Sequence, residues 1–320
     1  VSPTNAERFG ADAFKHPCGT GPFKLVEWVR SDHISLETNK NYWRESPQLD
    51  EVIFKVIPDP AVRLLSLELG EVQGIEYPNP ADLDRIRQNK ELLLLSEPGM
   101  SVSYLEINTG YGYIDKNKNG IRDIDIEPFI KNPGYFEPLT KKKVRQAINM
   151  AINKQSIVDN IYMGTAIKAK NGMPPFMMGY NEGIKDYPYD PERAKELLAE
   201  AGYPDGFDVM LHVMPIPRPY MLKPLMVAEA IQSYLSAIGI KVKFYQTDWS
   251  NYMLELNNGK HQICLLGWIG DNGDPDNFLG KYHSNKTTIG NAKNRAFFIN
   301  DQVDELLSAA LETYDNEKRA

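Results

Sequence analysis

The sequence predicts an α/β protein built as two domains, and three observations support this prediction. The first 108 residues alternate apolar and polar side chains in short runs that are typical of β-strands. Between Asp208 and Tyr245 a strand, a helix and a second strand follow one another, an order that favours parallel strands joined by a crossover helix. The chain has 320 residues, whereas one domain commonly takes about 150.

Short strands dominate the predicted first domain, residues 1–108, which is expected to be a mixed, β-rich sheet with helices. Runs with a period of two predict strands, and an apolar face followed by Gly70 predicts a helix. A proline after Asn79 is placed where a further helix would begin. The expected elements are strands at 23–28, 34–38, 51–57, 74–77 and 101–108, and helices at 61–69 and after Asn79.

Helical periodicity is more frequent in the predicted second domain, residues 109–320. Apolar residues spaced three and four apart mark one face of the helix over 141–153, and Pro191 and Gly202 bracket another helix. Residues 110–138 follow neither period and are interpreted as an inserted loop. The expected elements are helices at 141–153, 154–163, 191–202, 223–238, 250–257 and 301–314, and strands at 208–213, 241–245 and 261–267.

The bulk composition argues against several classes of function. A net charge of −7 and a pI near 5.4 disfavour nucleic acid as a partner. No run of 18 apolar residues occurs, so no membrane-spanning helix is predicted. The two cysteines, Cys18 and Cys264, are too few for a disulfide framework and are expected to be small buried hydrophobic residues.

One loop concentrates residues suited to binding a cation. The apolar run from His261 to Gly267 leads into WIGDNGDPDNF, in which Gly270 allows unusual backbone angles and Asp271 and Asn272 supply oxygen atoms. A metal ion or an ammonium group would suit such a loop. A solvated, Asx-rich turn that closes a strand would have the same composition, so the loop alone leaves both interpretations open.

Arg218 is the second candidate. It lies in MPIPRPY, residues 214–220, whose three prolines stiffen the loop, and its planar guanidinium can bind a carboxylate through two hydrogen bonds. Both loops follow strands expected in one sheet, at the ends where open α/β sheets place ligand clefts. A ligand with an ammonium at one end and a carboxylate at the other would suit Asp271 and Arg218. Alternatively, the two are surface charges or pair with each other.

Three aromatic residues lie close to these loops in the sequence, and flat aromatic walls would tolerate varied ligand side chains. The alternative is that the rings belong to the core. The residues are Trp268, Tyr220 and Trp249.

The inserted loop contains an incomplete EF-hand pattern. Oxygen-bearing side chains occupy positions one, three, five and nine, with glycine at six, but Ile126 replaces the acid required at position twelve. Two interpretations remain open: a calcium site that holds the insertion together, and a polar surface loop. The residues that would form the calcium loop are Asp115, Asn117, Asn119, Ile121 and Asp123.

No enzyme motif is convincing. The five histidines lack the HExxH spacing, and the chain has no GxSxG elbow, P-loop or dinucleotide fingerprint. The paired acids near Asp271 keep one catalytic alternative open, a secreted glycoside hydrolase or metal-dependent hydrolase.

Five stretches resemble, in order, the extracytoplasmic peptide and nickel solute-binding family, which are receptors of ABC importers, and in particular its dipeptide-binding members. They are GTGPFKLVEW with NYW (19–28 and 41–43), LSLELGEVQGIEY (65–77), KKKVRQAINMAINKQSIVDNIYMGTA (141–166), YDPERAKELLAEAGY (189–203) and GWIGDNGDPDNF (267–278). Together they extend over most of the chain.

This resemblance implies a two-lobed, periplasmic-binding-protein-like fold of type II, in the large peptide-binding class, truncated at both ends. It places the lobe boundary near Asn108 and implies that an upstream part with its signal segment and a carboxy-terminal segment are missing. It also implies that Asp271 binds the ammonium group of a dipeptide and Arg218 its carboxylate.

The expected function is therefore a monomeric receptor, with no required cofactor and no enzymatic activity, that captures dipeptides or short peptides and delivers them to a membrane permease. The expected location is extracytoplasmic, in the periplasm or lipid-anchored at the cell surface. The alternatives are a receptor of the same fold for oligopeptides, nickel chelates or sugars, and the hydrolase named above.

Overall fold

The computed structural model describes residues 2–110, 137–288 and 290–320. These residues form two compact units, Val1–Leu83 and Asp84–Ala320. Both contain helices and strands, so the predicted α/β class is confirmed. The calcium prediction lies outside the described residues and stays a prediction; it concerns Asp115, Asn117, Asn119, Ile121 and Asp123.

A three-stranded antiparallel sheet organises the first unit, in the order β1-β2-β3. Asp59 accepts hydrogen bonds from two amides of the first turn of the following helix, and Pro60 begins that helix, as the proline pattern predicts. The elements are α1 (Pro3–Phe9), a 3₁₀ helix (Gly10–Lys15), β1 (Phe23–Val29), β2 (His33–Thr38), β3 (Glu51–Lys55), α2 (Pro60–Glu68) and a 3₁₀ helix (Pro80–Asp82).

Two expectations for this unit are wrong. Residues 74–77 do not form a strand, because no neighbouring strand of the described chain pairs with them. Cys18 is exposed, whereas Cys264 is buried as expected. Cys18 lies in an irregular stretch before β1 and therefore lacks the strand context that buries Cys264.

The second unit is built on a four-stranded mixed sheet in the order β4-β7-β5-β6. β5 pairs in parallel with both β6 and β7, while β4 pairs antiparallel with β7. The carboxyl ends of the three parallel strands therefore point toward one edge of the sheet. The strands are β4 (Ser101–Ile107), β5 (Asp208–His212), β6 (Lys241–Tyr245) and β7 (Ile263–Ile269).

Helices bury the faces of this sheet. Val144, Leu198, Leu235 and Leu256 come from four helices and join the strand residue Leu211 in one apolar cluster, each almost fully buried. The helices are α3 (Leu83–Gln88), which begins at the boundary of the units, α4 (Glu137–Thr140), α5 (Lys142–Ala151), α6 (Lys154–Asn160), α7 (Pro191–Glu200), α8 (Pro224–Ser236), α9 (Trp249–Asn257), α10 (Asp276–Leu279), α11 (Asp301–Glu312) and α12 (Asn316–Arg319), with 3₁₀ turns at Gly280–Tyr282 and Ser284–Lys286.

The boundary between the units differs from the predicted division into 1–108 and 109–320. The structure divides after Leu83, because β4 pairs along its length with β7 and so belongs to the sheet of the second unit. The alternation in β4 predicts a strand correctly, but it carries no information about the strand's partner.

Two histidines are buried in the second unit. Nε2 of His261 donates to the carbonyl oxygen of Arg295 at 2.9 Å, whereas its Nδ1 has no partner. Burial lowers the pKa of His261 to about 3. Burial also lowers the pKa of His212, although Glu255 lies 3.2 Å away and acts in the opposite direction. Both rings are therefore neutral in the folded protein at neutral pH.

Acid should destabilise this unit because its buried histidines resist protonation. An unfolded histidine takes up a proton near pH 6.5, whereas folded His261 stays neutral, so stability is complete above pH 6.5 and falls below it. The slope for this residue is about 1.4 kcal/mol per pH unit. In urea unfolding between pH 6 and pH 5, His261→Gln should lose stability less steeply than wild type.

The control is His33→Gln. Asp32 and Glu27 raise the pKa of His33, so its removal must not flatten the pH dependence. Equal slopes for wild type and His261→Gln would contradict the interpretation of His261 as a buried neutral ring.

Candidate ligand site

The predicted ligand residues all lie in the second unit, in segments that follow the three parallel strands. The loop after β5 carries Arg218 and Tyr220. Trp249 is the first residue of α9, which follows β6. At the end of β7 and in the loop behind it lie Trp268, Gly270, Asp271 and Asn272.

A short overlap between β5 and β7 makes room for the site. Within β7, only Ile263 and Cys264 pair with β5, so the rest of β7 extends beyond the end of β5. The Tyr220 ring lies against this extension at Gly267, where an added Cβ would be 2.2 Å from Cδ2 of Tyr220 and 2.6 Å from the Val102 carbonyl oxygen. Gly267 therefore has to lack a side chain for the two segments to meet.

Arg218 is held by its backbone and by an aromatic ring. Its amide donates to the Met221 carbonyl oxygen at 3.1 Å, and the Met221 amide donates back at 2.8 Å. The guanidinium carbon lies 4.0 Å from the centre of the Trp249 ring. Nε of Arg218 is buried without a hydrogen-bond partner, and no carboxylate of the described chain forms an ion pair with Arg218. Its positive charge is therefore uncompensated.

Asn277 organises the acidic loop. Its Oδ1 accepts from Nε1 of Trp268 at 2.9 Å and from the Asp271 amide at 3.1 Å, and its Nδ2 lies 3.5 Å from Oδ2 of Asp271. Gly270 donates its amide to Met100, and a Cβ there would be 2.8 Å from Phe278. The Trp268 indole and the Asp271 backbone are thus fixed by one side chain.

A second carboxylate in the loop is neutralised. Asp274 forms two hydrogen bonds of 2.7 Å with the guanidinium of Arg319, which lowers the pKa of Asp274. Oδ1 of Asp274 also accepts from the Asp276 amide at 2.9 Å, and the Asp274 amide donates to Asn272 at 3.0 Å. Asn272 is thus occupied in shaping the loop.

Asp271 differs from Asp274, because it is exposed and pairs with no cation in the described part of the chain. The alternative that Arg218 and Asp271 pair with each other does not occur. Among the described residues, Arg218 thus has no carboxylate partner and Asp271 has no cation partner, and their loops follow neighbouring parallel strands.

The structure adds residues that the sequence analysis missed. Asn277 belongs to the recognised loop, but nothing in the sequence indicates that its amide faces Trp268 and Asp271. Arg319 lies 45 positions beyond Asp274, and only the folded chain brings the two together. For Trp249, which the sequence analysis names, the structure adds the contacts of its ring with the Arg218 guanidinium and with Tyr252.

A serine, a histidine and an aspartate also approach one another elsewhere in this unit. Ser308 Oγ lies 3.4 Å from Nε2 of His283, and Asp304 lies 3.4 Å from Nδ1. Nδ1 accepts the Asn285 amide proton at 3.2 Å, so Nε2 carries the ring proton and donates it to Ser308. A nucleophilic serine needs the opposite direction of transfer, so this arrangement does not match a catalytic triad.

Across residues 2–110, 137–288 and 290–320, no three histidine, cysteine or acidic side chains converge as metal ligands. In the same ranges no helix combines the length and apolar character needed to cross a bilayer.

The chain is similar in sequence to several bacterial binding proteins. It is 36% identical over 304 residues to the dipeptide-binding protein of Escherichia coli K12, which covers 95% of this chain and 52% of that protein. It is equally 36% identical to the heme-binding protein A of Haemophilus influenzae, over 95% of this chain and 51% of that one. The chain thus spans about half the length of the curated relatives it matches.

Solved structures agree with the sequence relatives. An ABC transporter-associated periplasmic binding protein from Helicobacter pylori, solved with the peptide STSA, superposes with a TM-score of 0.80 at 31% identity. The match covers 100% of this chain and 57% of that protein. The predicted periplasmic-binding-protein class is therefore confirmed. A family model described as bacterial extracellular solute-binding proteins, family 5 middle, matches residues 2–289, and the chain belongs to this family.

Proposed function

We propose that the protein is a receptor that captures dipeptides or short peptides outside the cytoplasm and delivers them to the permease subunits of an ABC importer. The observation that carries this proposal is that Arg218 and Asp271, which have opposite charges, lie on neighbouring loops of one sheet and form no ion pair within the described residues. The receptor is monomeric and resides in the periplasm or is lipid-anchored at the cell surface.

The chemistry of a short peptide fits this pair. A free peptide has an ammonium group at one end and a carboxylate at the other, and burial of either without a partner is costly. Arg218 offers planar donors to the carboxylate, and Asp271 accepts from the ammonium. Trp268 and Tyr220 lie beside these anchors and supply apolar surface for side chains that vary between peptides.

The relatives support a peptide ligand, but they do not determine the length of the peptide. The dipeptide-binding protein and the heme-binding protein share the same identity with this chain, so identity alone does not select the ligand. The charge pair favours a zwitterion over a neutral sugar, and the Helicobacter structure contains a peptide of four residues. Parallel titrations of the wild type with longer peptides and with nickel chelates would detect these alternative ligands.

The same proposal makes the protein a binding protein and not an enzyme. The family and the named relatives are binding proteins. A receptor returns its ligand unchanged, whereas a hydrolase consumes it. Peptide recovered intact after prolonged incubation with the protein supports the proposal, and its cleavage would overturn it.

Arg218→Ala should weaken binding of a zwitterionic dipeptide by about 2–5 kcal/mol, the range for truncating one partner of a buried charge pair. Calorimetric titration of the full-length protein, made ligand-free by unfolding and refolding, measures this loss. The affinity of Arg218→Lys should lie between those of the wild type and Arg218→Ala, because lysine keeps the positive charge but lacks the planar guanidinium. The control is Arg193→Ala, whose side chain pairs with Glu196 and Glu200 on the surface. Unchanged affinity in Arg218→Ala would remove this residue from the site.

Asp271→Asn should weaken dipeptide binding by about 1.5–3 kcal/mol, the range for hydrogen bonds to charged groups. The loss should be specific to the free ammonium, so the variant and wild type should bind the N-acetylated dipeptide alike. Asp208→Asn is the matched control, because Asp208 begins β5 at the opposite edge of the same sheet and pairs with Lys243. An equal loss for the free and acetylated ligands would argue against an ammonium anchor.

A further inference from the structure

We infer that Trp249 is a positioning residue for Arg218, which it orients through its ring face while leaving the guanidinium charge free for the carboxylate of the ligand. This inference rests on the proposed function and deepens it. It assigns Trp249 a role different from that of an aromatic wall for peptide side chains.

The first step is the geometry of the stack. The guanidinium carbon of Arg218 lies 4.0 Å from the centre of the Trp249 ring, well within the range of a cation–π contact. The Trp249 ring in turn lies 5.8 Å from that of Tyr252, at an interplanar angle of 18°. Trp249 thus contacts both Arg218 and Tyr252, and these three residues are called the column below.

The second step is the anchor of that column. Tyr252 is fully buried, and its hydroxyl donates toward the carbonyl oxygens of His212 and Leu265. His212 ends β5 and Leu265 lies in β7, and these strands lead into the two candidate ligand loops. The column thus fixes Arg218 relative to both strands and not only relative to its own loop.

The third step is the charge. A carboxylate beneath Arg218 would hold the guanidinium in place and cancel its charge at the same time. The site contains such a pair in Arg319 and Asp274, where two 2.7 Å bonds neutralise the acid. An indole ring attracts a cation through its quadrupole without carrying a net charge. Trp249 therefore orients Arg218 and preserves the positive charge that an anionic ligand group needs.

The fourth step is the unpartnered donor. Nε of Arg218 is buried and has no hydrogen-bond acceptor in the described residues, and such a group is costly to leave unsatisfied. A ligand carboxylate would supply that acceptor. The Trp249 indole has no hydrogen-bond acceptor, so its contact leaves the in-plane donors of the guanidinium available to the carboxylate.

The experiment compares one dipeptide in two forms, with a free carboxyl terminus and with an amidated one, in calorimetric titrations of the ligand-free, full-length protein. Wild type should prefer the free acid. Trp249→Leu should lose about 2- to 30-fold in affinity for the free acid, the range of a cation–π contact, and little for the amide. Trp249→Phe keeps an aromatic ring over Tyr252, so its affinity for the free acid should lie between those of the wild type and Trp249→Leu. It also serves as the second variant if Trp249→Leu impairs folding.

The ratio of the two affinities separates positioning from a structural role, because general damage to the site would lower both. Trp43→Leu is the matched control: it removes a comparable contact, with the Arg44 guanidinium 4.1 Å from the ring centre, that lies outside the candidate site, so it should not reduce the preference for the free acid. Retention of the full preference by Trp249→Leu and Trp249→Phe would overturn this inference alone. A wild type without any preference would overturn both the inference and the carboxylate anchor of the proposed function.

Discussion

The parallel pairing of β5 with β7 is the constraint on which the candidate site depends. Because only Ile263 and Cys264 of β7 lie opposite β5, the loop that carries Arg218 can run beside the free part of β7. Gly267 makes the close approach feasible, since any side chain there would collide with Tyr220 and with β4. One short register thus places a cationic loop and an acidic loop next to each other.

Within that frame, side chains decide which charges stay available. Arg319 neutralises Asp274, while Asn277 fixes the Asp271 backbone and leaves its carboxylate exposed. On the other loop, Trp249 holds Arg218 without neutralising it. The acidic loop is therefore held by one ion pair and several hydrogen bonds. The two charged groups that would contact a ligand, Arg218 and Asp271, do not pair with each other.

The sequence predicted this arrangement to the extent that it follows from strand order. The β-α-β pattern across residues 208–245 places the Arg218 loop at a strand end, and the motif after β7 does the same for Asp271. Contacts between distant side chains could not be predicted in this way, because periodicity describes only local structure. This is why Arg319 and the stack beneath Arg218 were missed. The compact units divide after Leu83 and not at residue 108 for a related reason: alternation shows that β4 is a strand, but its pairing with β7 depends on a segment some 160 positions away.

The most direct test of the central claim is a crystal structure of the full-length protein with a bound dipeptide. The account predicts the peptide carboxylate within about 2.7–3.2 Å of the guanidinium nitrogens of Arg218 and the ammonium at the same range from the carboxylate of Asp271. It also predicts that the guanidinium carbon of Arg218 stays about 4 Å from the centre of the Trp249 ring. A peptide bound in the reverse direction, or elsewhere with both charges in solvent, would contradict the account.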